Sequence, residues 1–206
     1  MLKAYFQLAR YNDNGLIKKT RKKLSRSFVK GFMQMLYAAF GNASINAITN
    51  KNELIAIYTD AFGGGSSFGG STIFDSNQSI PSSGFLVTTG YANGDFLGIV
   101  VGTGTTPVDI ADAYVLIPIE DGTSTSQLEY LGSSGYGYTV SDPNASFVLE
   151  RYFRNSSGGT ITINEVGVCI SNDKHSYLVI RDIVSPGEAV GNGEYLKITY
   201  TIQITA

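Results

Sequence analysis

Residues 195–204 read YLKITYTIQI. Leu196, Ile198, Tyr200, Ile202 and Ile204 fall on one face of an extended chain, with Lys197, Thr199, Thr201 and Gln203 on the other. Strict alternation rich in β-branched and aromatic residues predicts a strand with one face in a core. The opposite end of the chain carries the same pattern. Leu2, Ala4, Phe6 and Leu8 alternate with Lys3, Tyr5, Gln7 and Ala9. Asn14-Gly15 then predicts a hairpin turn, with residues 16–21 as the returning strand.

Working inward, apolar or alternating runs recur at 53–59, 71–75, 84–90, 96–102, 113–119, 127–131, 146–154, 160–169 and 177–183. Turn signals separate them, among them Asp142-Pro143-Asn144, residues 155–159 and Pro186-Gly187, with a Gly/Ser loop at 61–70. No fixed-period repeat is visible, which excludes a propeller or solenoid reading. The pattern predicts an all-β fold, an antiparallel β-sandwich of jelly-roll or Ig-like type. One N-terminal α-helix interrupts it. Ser25 or Ser27 can cap it, Phe28, Phe32, Leu36 and Phe40 recur every fourth residue, and Gly41 suits its end, so a helix is expected over 27–40. The expected organisation is a basic hairpin and helix at 1–45 and a β-sandwich at 46–206.

Composition permits such a core. The 22.1 kDa chain has 206 residues, of which 43% are hydrophobic and 16% charged. Cys169 is the sole cysteine, which excludes an intrachain disulfide and a thiolate metal cluster. Charge is unevenly spread: residues 1–30 hold nine cations against Asp13, a net +8, and the remainder holds six cations against sixteen acids, a net −10. A basic segment on an acidic body implies that the two face different surroundings, or that one copy's segment lies on the next copy's body. The start, MLKAYFQLARYNDNG, lacks the apolar run of a signal peptide, and no uncharged apolar stretch approaches membrane-spanning length, so a soluble chain without Sec-type export is expected. The N-x-S/T matches at Asn42, Asn77, Asn144 and Asn155 are attributed to chance in a chain rich in Asn, Ser and Thr.

No motif announces catalysis. His175 is the single histidine and lies in the polar stretch Ser171–Ser176 with no nucleophile motif nearby. One His and one Cys do not make a zinc site. Gly102-Thr103-Gly104-Thr105-Thr106-Pro107 lacks the lysine and following helix of a phosphate loop and reads as a turn. The pairs Asp109 with Asp112 and Glu120 with Asp121 suit glycoside hydrolysis only at a separation that sequence spacing does not set. No catalytic, cofactor-binding or metal-ligating residue is assigned, and no cofactor is expected.

Residues 18–41, KKTRKKLSRSFVKGFMQMLYAAFG, stand out: six cations within nine residues precede an apolar stretch. Nucleic acid binding would interleave aromatics with the cations, whereas here they form separate blocks. A membrane-surface helix would carry Lys and Arg along its polar face, but 31–41 has no charge. Docking onto protein accounts for both halves. Lys18, Lys19, Arg21, Lys22 and Lys23 would meet an acidic neighbour, and Phe28, Phe32, Leu36 and Phe40 would be buried, against a partner or against the chain's own sandwich.

Four stretches resemble β-sandwich virion structural proteins of tailed bacterial and archaeal viruses. They are SRSFVKGFMQMLYAAFG at 25–41, GIVVGTGTTPVDIADAYVLIPIEDGTSTSQLEY at 98–130, FVLERYFRNSSGGTITINEVGV at 147–168, and LVIRDIVSP at 178–186 with the closing KITYTIQI. The resemblance implies a non-enzymatic particle component of capsid-decoration, turret, collar or tail-fibre type, assembled in the host cytoplasm. It implies a homo-oligomer working with other virion proteins; closed rotational symmetry makes a trimer or pentamer the expected form, and the residues of 18–41 argue against nucleic acid and membrane. A host-glycan-binding module, with the tyrosines of 130–138 stacking on sugars, is the alternative reading, and a polysaccharide depolymerase the third.

Overall fold

The computed structural model describes residues 1–20, 22–25, 27–33, 45–48, 54–60, 71–75, 98–132, 138–171 and 176–206. The alternating ends of the chain become neighbours. β1 (Leu2–Asn12) pairs antiparallel with β13 (Tyr195–Thr205), Leu2 opposite Ile204 and Tyr11 opposite Tyr195. On its other side β13 pairs with β10 (Asn144–Arg154), Asn144 opposite Thr205 and Arg154 opposite Tyr195. Because side chains alternate with period two, these registers put Phe6, Leu8, Leu196, Ile198, Tyr200, Leu149 and Phe153 on one buried face.

Shorter strands extend this larger sheet. The Asn14-Gly15 turn, with Gly15 at φ 112°, returns the chain as β2 (Gly15–Lys19), and β3 (Lys23–Ser25) also pairs with β1. On the far side β10 pairs with β8 (Glu129–Tyr130) and β9 (Thr139–Ser141). Thus β1 to β3 belong to the sheet that holds the C-terminal strand. The 45/46 position, where composition suggests a boundary, falls within β4 (Ile45–Ile48).

The second sheet has the order β12-β11-β7, with β7 at Gly98–Gly102, β11 at Ile161–Ser171 and β12 at Ser176–Val190. Both faces of β7 are buried. Ile99, Val101, Val166, Val168 and Ile180 join the larger sheet's apolar face in one core. A third, small sheet joins β4 antiparallel to β5 (Leu54–Asp60), which pairs in parallel with β6 (Ser71–Asp75). The described fold is therefore all-β, with two antiparallel sheets sharing a core.

Three expectations need correction. Among the described residues the helix covers 30–33 and does not include 27–29, while residues 34–40 lie outside the described set. Residues 27–29 run extended because they complete the edge of β12: Val29 N–H donates to the Val179 carbonyl at 3.2 Å and Arg181 N–H to the Ser27 carbonyl at 3.1 Å. Residues 113–119 form no strand. Two of their amides, Leu116 and Ile117, donate to the Glu165 carboxylate rather than to a neighbouring strand. Pro186-Gly187 does not end β12, which bulges there, four residues lying opposite Asn164 alone, before resuming register at Glu188 opposite Ile163. The run at 84–90 lies outside the described residues.

Candidate functional site

Charged side chains converge on the outer face of the smaller sheet. Arg181 on β12 and Glu165 on β11 are fully buried, an arrangement stable only when each charge is matched. Arg181 Nη2 lies 2.8 Å from Glu165 Oε2, and Nε donates to the same oxygen at 2.9 Å. Its Nη1 meets Asp112 Oδ2 at 2.9 Å, and Nη2 donates to the Thr106 carbonyl at 3.0 Å. Glu165 Oε1 accepts from the amides of Gly104 at 3.1 Å and Ile117 at 2.9 Å. This cluster therefore clamps the connection 103–117 onto the sheet.

Glycine makes that close approach possible. A Cβ on Gly104 would stand 2.4 Å from Glu165 Oε1, and one on Gly167 would stand 2.7 Å from a Val115 methyl. Beside this connection lies the segment 27–33. Val29 is fully buried, Lys30 N–H donates to the Ile110 carbonyl at 2.8 Å, and the Phe28 and Phe32 rings meet in a tilted contact with centroids 4.5 Å apart. The two phenylalanines are half-buried against the core cluster.

A second polar cluster closes the seam between the sheets. Asp182 is buried beneath a groove of about 460 Å³ bordered by Phe6, Lys23, Leu24, Pro107 and Val108. The Tyr200 hydroxyl donates to its Oδ2 at 2.9 Å. Burial pushes the Asp182 carboxyl above the usual carboxylate range, and the Ser25, Tyr200 and Ser27 hydroxyls pull it partly back. Further along the seam Glu188 draws Lys18 Nζ to 2.5 Å and Arg10 Nε to 3.6 Å, linking β1 and β2 to β12.

The basic strip is thus largely engaged within the chain. Lys18 pairs with Glu188, Lys23 Nζ donates to the Ser185 carbonyl at 2.9 Å, and the Lys22 ammonium stands 4.7 Å over the Tyr5 ring. Lys19 lies in β2, its side chain outside the described set, as are Arg21, Leu36 and Phe40. Of the nine residues expected from the sequence to dock, the structure brings Phe28 and Phe32 together and spreads Lys18, Lys22 and Lys23 along the larger sheet's β1–β3 edge. No family model, curated protein or solved structure matches the chain.

Other sequence candidates resolve individually. Asp112 is committed to Arg181, while Asp109 Oδ1 accepts the Ala111 amide at 2.7 Å. Glu120 accepts from Gln127, and Asp121 from the Tyr130 amide at 2.9 Å. Burial pushes the Cys169 thiol up to about 12, against a smaller opposing pull from Arg151. Asn155 is fully buried and its Nδ2 donates to the Gly159 and Val190 carbonyls, so the folded chain offers no glycosylation acceptor there. His175 lies outside the described residues. Among the described residues no His/Cys/Asp/Glu group could hold a metal, and no helix is long and apolar enough to cross a membrane. Glu165 and Arg181 carry only a weak signal in the sequence, as charges set inside apolar runs, Glu165 alone in INEVGV and Arg181 next to Asp182 in LVIRDIV. Such placement signals a buried pair.

Proposed function

We propose that the chain is a non-enzymatic structural component of a viral particle, a β-sandwich of jelly-roll or Ig-like type that works as a homo-oligomer. One observation carries the assembly part. The apolar inner face of the larger sheet continues past the shared core. Along β13 burial falls from Tyr200, fully buried, through Ile202, half-buried, to Ile204 at 58% exposed. Leu2 pairs with Ile204, Ile204 with Ala145, and Ala145 with Val140, so the register draws an apolar row across four strands. Leu2 and Val140 are 40% and 66% exposed. A contiguous apolar row open to water is what an assembling surface presents, and a second copy of the chain is the occupant proposed here.

The clamped outer layer supports the same reading, because its buried charges are used to hold a connection rigid. The resemblance of the four sequence stretches supplies the viral part. In this reading the cations of 18–23 face an acidic neighbour in the particle, with Phe28 and Phe32 at the base of that contact. Light scattering on the purified chain tests assembly: a closed oligomer is expected, and Ile204→Lys with Val140→Lys should reduce it to a folded monomer. A monomeric wild type at high concentration overturns the assembly reading. Negative-stain imaging of particles labelled on this protein tests the viral part, and absence of label from purified particles overturns it.

A further inference from the structure

The face of the larger sheet turned away from the core is not an ordinary charged surface. Register places Tyr5 and Tyr11 of β1, Tyr195 of β13 and Tyr152 of β10 on it, all partly exposed. Three of these rings carry a cation. The Lys22 ammonium lies 4.7 Å from the Tyr5 centroid, the Lys197 ammonium 5.3 Å from that of Tyr152, and the Arg154 guanidinium 5.7 Å from that of Tyr195. Between them β13 presents Lys197, Thr199, Thr201 and Gln203, a hydrogen-bonding strip ~20 Å long at about 3.4 Å per residue.

The charges on this face lean one way. Lys197 is paired with Glu150 at 2.8 Å and Arg154 with Glu129 at 3.8 Å. Lys3 and Lys22 have no acidic partner among the described residues, so the described side chains of this face carry a net +2 on a chain whose net charge is −2, and register opposite Ala9 places Lys19 on the same face. The excess lies at the Tyr5 end. Cations this sparse, with Lys197 and Arg154 already paired to acids of the same face, do not match a nucleic acid strand, whose phosphates recur about every 3.4 Å of helix axis. They suit a polymer of sparser charge, and tyrosine rings beside hydroxyl and amide groups suit the flat faces and hydroxyls of sugars.

We propose that this outer face binds an extended acidic polysaccharide, its sugar rings against Tyr5, Tyr152 and Tyr195 and its carboxylates toward Lys3 and Lys22. The site differs from the tyrosine-bearing 130–138 stretch, and the apolar row of the assembly reading lies on the opposite face of the sheet; Lys22 is common to this site and the basic strip, so an acidic neighbour and the polymer would compete for it.

The test is retardation of the full chain in gels containing alginate, a polyuronate, against neutral dextran and single-stranded DNA. Alginate should retard the wild type and dextran should not. Lys3→Gln with Lys22→Gln should weaken retardation at least about fivefold, the scale of two exposed charge contacts. Lys30→Gln, an equal loss of charge per site but on the other sheet's outer layer, should leave it unchanged. Tyr5→Ala should weaken it and Tyr5→Phe restore it, since the ring rather than the hydroxyl makes the contact. No alginate retardation, equal loss with Lys30→Gln, or DNA bound as strongly as alginate would each overturn the proposal.

Discussion

Glu165 and Arg181 bond each other and, between them, several groups of the 103–117 connection, so removing either leaves its partner charged and dry. Arg181→Met should therefore cost about 3–5 kcal/mol, read from urea unfolding, and expose 103–117 to protease before the core unfolds. Asp182 behaves in the opposite sense. Its folded carboxyl holds its proton above the ordinary value of 3.8, so folding takes up protons over that window. Its contribution is most favourable below 3.8 and is lost as pH rises through the raised folded value. Asp182→Asn keeps an acceptor for the Tyr200 hydroxyl and removes the buried charge. The variant should be more stable than wild type at pH 7, with the gap closing toward pH 4 in paired urea melts. Cys169, held to about 12 by burial, should resist thiol reagents until the chain is unfolded.

At the scale of elements, segment 27–33 depends on one glycine. A Cβ on Gly31 would stand 2.2 Å from the Leu178 carbonyl oxygen, which is backbone and cannot turn aside. Gly31→Ala should lift this segment from the β12 edge and speed proteolysis near residue 30, while leaving the strand signal in circular dichroism. Gly31 also shows why the helix was only partly legible. The four-residue spacing of Phe28 and Phe32 is real, and their rings do touch, but the backbone at 27–29 is taken by the edge of β12. Tertiary pairing overrode local propensity. The outer strands were legible for the reverse reason: alternation in Leu2–Leu8 and Leu196–Ile204 records a single buried face, which period-two reading detects directly. At 113–119 an apolar run reads as a strand, but Glu165, some fifty positions later, receives two of its amides. No local pattern encodes that. Lys18 and Lys23 looked free for the same reason, since Glu188 and the Ser185 carbonyl are near them only in space.

For the whole molecule, β13 is the strand on which the larger sheet depends, lying between β1 and β10 along its full length. Deleting residues 195–206 should abolish cooperative unfolding altogether rather than lower its midpoint, because both neighbours lose their partner and the core loses Leu196, Ile198 and Tyr200. The two ends of the chain meet there: Thr205 N–H donates to the Met1 carbonyl at 3.0 Å. This pairing has a consequence in time. During synthesis β1 leaves the ribosome well before β13 exists, and at ~5–20 residues per second the wait is roughly 10–40 s. Through that interval Phe6 and Leu8 have no covering strand, and the β1–β2 hairpin is an open template. Newly made chains are thus most exposed to chaperones, and to the β13 of another copy, in the seconds before their own β13 emerges.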